Sequence, residues 1–198
     1  MVERYHYAHR VPSVVAAVGM YVDDVLAGCI TYGISASSNV HKCCGDNWQP
    51  HSLELNRLYI HDWAGRNSES WLIGQSFKVL RDRWPSYCVL ISYADTAHGH
   101  HGGIYRATNW LYTGFSCNGG CEGFQVGRET IHSKEMNNRL GSHAVSVVQR
   151  AYPGAIPIRR SPKHRYVQFL GDKRRKRELR AALKWPVLPY PKSETEVA

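Results

Sequence analysis

Asp95 closes the apolar run YCVLISYAD and opens the turn TAHGHHGG. A carboxylate at the end of a buried strand, ahead of glycines, points into a cleft or caps the helix that follows. His98, His100 and His101 crowd the same turn. They invite a metal reading, iron included, although successive residues cannot all aim at one ion. Glu54 and Arg57 lie in SLELNRLYIHD, where Glu54 is a candidate base or one half of a salt bridge to Arg57. Asn67, Ser68 and Ser70 open the helix SWLIGQSFKVLRDRW. Residues of those types either bind an anion together with the helix amides or cap the helix. Tyr93, Tyr105, Trp110 and Tyr112 supply aromatic faces, as core or as a stacking surface.

Six cysteines divide into two kinds. Cys29 and Cys88 sit in apolar strand-like runs and read as small buried hydrophobes. Cys43, Cys44, Cys117 and Cys121 lie in polar, glycine-containing stretches and, with His41, are candidate zinc ligands. Their spacings match no standard zinc module, and adjacent cysteines suit one tetrahedral site poorly. The start, MVERYHYAHR, has no apolar core of a secretory signal, so disulfides are not expected.

The 198 residues carry 25 Lys and Arg against 16 Asp and Glu, a net +9. The excess is concentrated. Residues 159–184 hold 11 basic side chains, including Lys163, Arg165, Lys173, Arg174, Arg175, Lys176 and Arg177, against Asp172 and Glu178 alone. The rest of the chain balances at 14 of each sign. A neutral body with one basic stretch is the footprint of a polyanion binder, or else of a solvated helix face. No apolar run is long enough to cross a membrane.

These residues need a scaffold, and the patterning supplies one. VPSVVAAVGMYV and VLAGCITYGIS read as two strands around a turn at Asp23-Asp24. A polar loop of about fifteen residues follows, long enough to suggest function. Strand SLELNRLYIHD, a helix ended by Pro85, central strand YCVLISYAD, helix GIYRATNWLY and strand YTGFS come next. CNGGCEGFQVGRETIHSKEMNNRLGS reads as loop, strand and short polar helix. Helix HAVSVVQRAY, strand RYVQFLG and helix GDKRRKRELRAALKW complete the order. Alternating strands and helices indicate an α/β (α+β) domain with a mixed sheet, its ligands at the carboxyl ends of strands. Residues 1–191 are expected to form one domain, with 186–198 as an extended or mobile tail.

ELNRLYIHD, NSESWLIGQSFKVLR, VLISYADTAHGHHGGIYRATNWLYTG, KHRYVQFLGDKRR and PYPK follow one another in an order that resembles the Mom family over most of residues 14–191. These are phage proteins that hypermodify adenine in DNA. The resemblance implies a GCN5-related N-acetyltransferase-like mixed central sheet flanked by helices. It implies adenine converted to N6-(carbamoylmethyl)adenine, protecting phage DNA from restriction in the host cytoplasm. The implied partners are double-stranded DNA and a small-molecule donor, acetyl-CoA or another acyl or glycyl donor. On this likeness Asp95 accepts a hydrogen bond from the N6 amine. Asn109 and Tyr112 stand beside the donor, Tyr112 as acid to its leaving group. Glu54 and Arg57 lie on the strand that lines the cleft, and Asn67, Ser68 and Ser70 lie where such enzymes hold a pyrophosphate. The sequence departs from the pattern there, since RNSES has no glycines and Glu69 repels phosphate. Arg57, Lys163, Arg165 and Lys173–Arg177 are the expected DNA contacts. The competing readings are an N-acetyltransferase for a small amine or RNA base, and a non-catalytic, zinc-stabilised DNA-binding module.

Overall fold

The computed structural model describes residue 4 and residues 13–35, 37–99, 101–116 and 120–191. Strands β1 (Ala16–Val22) and β2 (Val25–Gly33) form a hairpin. Asp23 and Asp24 between them both take positive φ, 47° and 62°, the paired left-handed conformation that suits a two-residue hairpin turn. Helix α1 (Ser38–His41) and a 3-10 turn at Asp46–His51 lead to β3 (Ser52–Ile60). Helix α2 (Ser68–Arg83), β4 (Val89–Asp95), α3 (Gly103–Ala107) and β5 (Leu111–Phe115) follow.

The chain then leaves the sheet to build a lobe from β6 (Cys121–Val126), β7 (Glu129–His132), α4 (Ser133–Leu140), α5 (Val145–Ala151) and β8 (Ile156–Arg159). It returns as β9 (Lys163–Phe169) and ends in α6 (Lys173–Ala182).

The main sheet runs β1-β2-β3-β4-β9-β5, and the lobe holds a second sheet in the order β7-β6-β8. β3 and β4 are the parallel neighbours, whereas β9 lies antiparallel to both β4 and β5. The architecture is therefore mixed α/β, a central mixed sheet with helices on both faces. α2 buries Leu72, Ile73 and Leu80 in one apolar cluster with Tyr32, Leu53 and Leu90. α6 buries Leu179 in another, with Val89, Ile91 and Val167. The lobe has its own small core of Phe124, Ile131, Met136, Val148 and Ala155. Among the described residues no helix is long and apolar enough to cross a membrane.

Two local differences from the sequence reading, at α3 and β8, have physical causes. Helix α3 stops at Ala107 rather than running to Tyr112. Thr108 turns its hydroxyl back to the Ile104 carbonyl at 2.7 Å, and Asn109 takes φ 58°, which ends the helix. IPIR forms β8 by pairing with β6, a partner invisible in the sequence. After α6 the chain crosses the sheet as an extended strap. Lys184 N–H donates to the Cys43 carbonyl at 2.8 Å and Leu188 N–H to the Tyr112 carbonyl at 2.9 Å, and the Tyr190 hydroxyl donates to the Trp110 carbonyl.

Candidate active site

β3 and β4 pair only from Ser52↔Val89 to Glu54↔Ile91 and then diverge. Asn56 accounts for the divergence. In the β2–β3 ladder Thr31 faces Arg57 and Tyr32 faces Leu55, so Asn56 is an extra residue. Such a bulge bends and twists its strand. Asn56 is fixed there, accepting from Thr31 Oγ1 at 2.6 Å and donating to the Ser13 carbonyl at 3.1 Å. Where the strands part, Ser92 Oγ donates to the Leu55 carbonyl at 3.0 Å. Having used its proton, Ser92 accepts from the Tyr105 hydroxyl at 2.7 Å.

The opening is a cavity of about 490 Å³ at the carboxyl ends of the two parallel strands. Arg57, Tyr59, Glu69, Tyr93, His101 and Tyr105 line it, with Leu55 and Ile104 among the apolar walls. His101 is placed through its backbone, whose carbonyl accepts from the Tyr166 hydroxyl at 2.8 Å. Gly102 takes φ 74° beside it, and a Cβ there would lie 2.3 Å from Tyr166 Oη, so the turn closes only over glycine. Tyr105 stacks on Tyr166 with ring centroids 4.7 Å apart. The chain segments 55–60 and 69 thus face 93–94 and 101–105 across one cleft.

The side chains singled out from the sequence mostly stand beside this cleft rather than in it. Of them, Arg57, Tyr93, His101 and Tyr105 line the cavity. Asp95 Oδ1 accepts from Ala97 N–H and from Ser161 Oγ, both at 3.0 Å, and Oδ2 pairs with Lys163 Nζ at 2.8 Å. Partial burial alone would raise the pKa of Asp95, but the Lys163 ion pair and the donors from Ala97 and Ser161 outweigh it and hold the carboxyl below its ordinary value. Asp95 is accordingly a saturated anion and the cap of a short 3-10 turn.

Tyr112 is buried two strands away on β5, its hydroxyl 3.0 Å from His164 Nδ1. Burial pushes its phenol upward. Glu54 belongs to the paired part of β3, below the divergence, where its charge acts on His41. Asn67 takes φ 63° and makes no side-chain cap. Ser68 directs its hydroxyl to the Ala64 and Gly65 carbonyls at 2.9 and 2.8 Å, and Ser70 to the Asn67 carbonyl at 3.0 Å. Both serines therefore hold the turn, and Glu69 between them faces the cavity. Asn109 terminates α3 and its carbonyl accepts from Gln168 at 3.2 Å.

The basic segment splits between two ends of the sheet. Lys163 pairs with Asp95 at the cleft end, whereas α6 begins beyond Phe169, which lies opposite Val89 at the start of β4. Arg165 is not presented to a partner. It donates to Thr113 Oγ1 at 3.0 Å and to the Thr113 carbonyl at 2.9 Å, and its guanidinium lies 3.7 Å over the Trp185 ring. Lys173, Arg174, Arg175, Lys176 and Arg177 are exposed on α6, although Arg175 also lies 5.1 Å over Trp48.

Among the described residues no group of three or more His, Cys, Asp and Glu converges. His41 uses both ring nitrogens within the fold, and Cys43 and Cys44 are buried beneath α6. His100 and Cys117 lie outside the described residues, as does the side chain of His98.

Glu69, His101, Tyr59, Tyr93 and Tyr105 are the groups that the geometry brings forward. Glu69 carried a signal in the sequence, a carboxylate where a phosphate loop is expected. Tyr93, Tyr105 and His101 are already marked in the sequence as aromatic faces and a histidine-rich turn, whereas the place of Tyr59 depends on the bulge at Asn56, which only the pairing of β2 with β3 reveals.

The description Mom protein family matches this chain over residues 1–192. A methylcarbamoylase mom from Escherichia phage Mu is 29% identical over 194 residues, covering 97% of this chain and 78% of the relative. Among solved structures, a putative acetyltransferase from Salmonella typhimurium with acetyl-CoA superposes at a TM-score of 0.44 and 12% identity, over 79% of this chain. This chain spans 65% of that protein's length. A ribosomal-protein-alanine N-acetyltransferase from Brucella melitensis gives a TM-score of 0.43 and 15% identity, over 78% of this chain and 68% of that one.

Proposed function

This chain belongs to the Mom protein family, and on that premise we propose that it is a phage transferase that modifies the N6 amine of adenine in DNA. The product we assign is N6-(carbamoylmethyl)adenine, which shields phage DNA from restriction. The observation that carries the reading is the cavity between the diverging strands, where aromatic faces and two proton-transfer groups converge.

Adenine N6 is a weak nucleophile because its lone pair is delocalised into the ring, and in a duplex the base must be flipped out. Tyr59 and Tyr93 offer faces to a flipped base, and the buried Tyr105 forms part of the wall. Glu69 accepts a proton from N6 as the new N–C bond forms at the donor's methylene carbon and that carbon's bond to the leaving group breaks. His101, from the facing wall, gives a proton to the departing group. Arg57 steadies charge that develops on the donor. Asp95 serves by holding the end of β4 in place. Acid–base help of this kind contributes about 10²–10⁴-fold in rate.

The residues at the start of α2 do not fit a coenzyme A pyrophosphate. Ser68 and Ser70 point their hydroxyls into the turn, and the carboxylate between them lines the cavity. Carbamoylmethyl joins N6 to a methylene rather than to a carbonyl carbon, so the donor enters this reading as an activated carbamoylmethyl group with its leaving group on the methylene, on a carrier that is not held at α2.

Nucleoside mass spectrometry of DNA from cells expressing the chain, beside a Glu69→Gln variant, tests the reading. A modified adenosine present with the wild-type chain and absent with the variant is expected. An unmodified adenosine profile with the wild-type chain overturns it.

A further inference from the structure

The lobe contains a second cavity, of about 500 Å³, whose lining residues are distinct from those of the cleft. His132, Lys134, Asn137, His143 and Arg160 line it, and no carboxylate does so among the described residues. Of the lobe's acids, Glu135 and Glu129 both meet Arg139, and Glu122 on β6 is not among the residues that line the cavity. Lys134 and Arg160 have no ion-pair partner among the described residues.

Two backbone bonds fix the arrangement. His132 Nδ1 accepts from Lys134 N–H at 3.1 Å, which leaves the ring proton on Nε2 as a donor. Arg160 N–H donates to the Gly120 carbonyl at 2.8 Å, tying the exit strand of the lobe to its entrance. An ammonium, a guanidinium, an imidazole N–H and an amide thus share a cavity without an acid. That set matches a tetrahedral oxyanion.

Position narrows the choice of anion. β5 and β4 end at the same edge of the sheet, since Phe115 and Ala94 both lie opposite His164 on β9. Ala94 lines the active cavity. The lobe springs from that edge, and Arg160 precedes Ser161 and Lys163, both bound to Asp95. Three extended residues span at most about 10 Å.

We propose that the lobe cavity holds a backbone phosphate of the substrate DNA, so that the lobe sets the duplex over the cleft. The proposal rests on the DNA reading above. It assigns a positioning site on the substrate side, separate from the donor, with cations that fix register without reading sequence.

The test uses the full chain and duplex DNA, with affinity measured across a salt series. Lys134→Gln combined with Arg160→Gln removes both charges but keeps polar side chains at two exposed positions, so the thermal midpoint should stay within about 2 °C of wild type. The salt slope should fall by roughly 1.8, about 0.9 for each lost contact, and by the same amount on duplexes of different sequence. Asn137→Ala, which leaves both charges in place, should weaken binding without altering the slope. A folded double variant with unchanged affinity and slope overturns the proposal and leaves the DNA reading standing. A chain whose variants lose inorganic phosphate binding but keep the wild-type DNA slope has a small-anion site instead, which also overturns it. Wild-type chain that neither binds nor modifies DNA overturns both.

Discussion

Asp95 meets Lys163 at 2.8 Å where β4 and β9 lie side by side, and the same carboxylate holds Ser161. Thr96 adds a bond to the Pro162 carbonyl at 2.6 Å. The end of the cleft strand is therefore bolted to the root of the lobe, and Asp95 is the joint.

Asp95→Asn should lower stability by about 1–3 kcal/mol, since charge-assisted hydrogen bonds are lost. The carboxyl is held below its ordinary value in the folded chain, so its contribution is complete above about pH 4 and is lost as pH falls through the folded value. Thermal melts of wild type and variant should converge there. Lys163→Gln should reduce modification in the same direction as Asp95→Asn. A variant pair in which only Asp95→Asn affects modification would point to direct chemistry at Asp95 instead.

Gly102→Ala places a methyl 2.3 Å from Tyr166 Oη at a φ of 74°. The expected cost is about 1–3 kcal/mol, with displacement of His101 and loss of modification. Tyr166→Phe should not rescue it, because ring carbons remain 2.4 and 2.6 Å from the new methyl. Recovery of activity in that double variant would remove the steric account.

His41 sets a pH dependence. Its Nε2 accepts from Ser35 N–H at 2.8 Å, so Nδ1 carries the proton and donates to Ser52 at 2.7 Å. Burial lowers its pKa, against an opposing pull from Glu54. The folded value lies below the unfolded one, so stability is full above about pH 6.5 and declines as pH falls from there toward the folded value. Burial, with the charge of His101, lowers His164 in the same sense. The thermal midpoint should fall between pH 7 and 5, and His41→Gln should flatten part of that slope. An unchanged slope in the variant would count against the assignment.

The order of elements was legible because each follows from local patterning. Asp23-Asp24 marks a hairpin, Pro85 stops α2, and VLISYA reads as a strand buried on both faces. The site was legible only by neighbourhood. Glu54 and Asp95 were the visible carboxylates, but one lies below the strand divergence and the other is spent on Lys163. Glu69 emerged because Ser68 and Ser70 satisfy the turn on either side of it. The charge-rich stretch read as one surface, yet the start of β9 and the start of α6 carry its two halves to opposite edges of the sheet.

That division separates affinity from positioning. Changing Arg174, Arg175, Lys176 and Arg177 to Ala should lower the salt slope of DNA binding by up to roughly 3.6 if all four touch phosphate. Modification per bound duplex should persist, because α6 starts at the edge away from the cleft. Loss of modification at saturating DNA would place the substrate on α6.

Glu69→Gln is the sharpest probe of the cleft. The substitution keeps size and hydrogen-bonding shape but removes the acceptor for the N6 proton, so modification should fall by about 10²–10⁴-fold. Folding should be unaffected, because Ser68 and Ser70, rather than Glu69, hold the start of α2. DNA affinity and its salt slope should match wild type, since no phosphate is assigned to this wall. Glu69→Asp should recover part of the activity, as a carboxylate drawn back by one methylene still accepts a proton at longer reach. His101→Gln should also lose modification, and the two losses should combine less than additively if both groups act in one proton-transfer step. Wild-type modification by Glu69→Gln would remove the carboxylate from the chemistry and leave His101 as the cleft's remaining base.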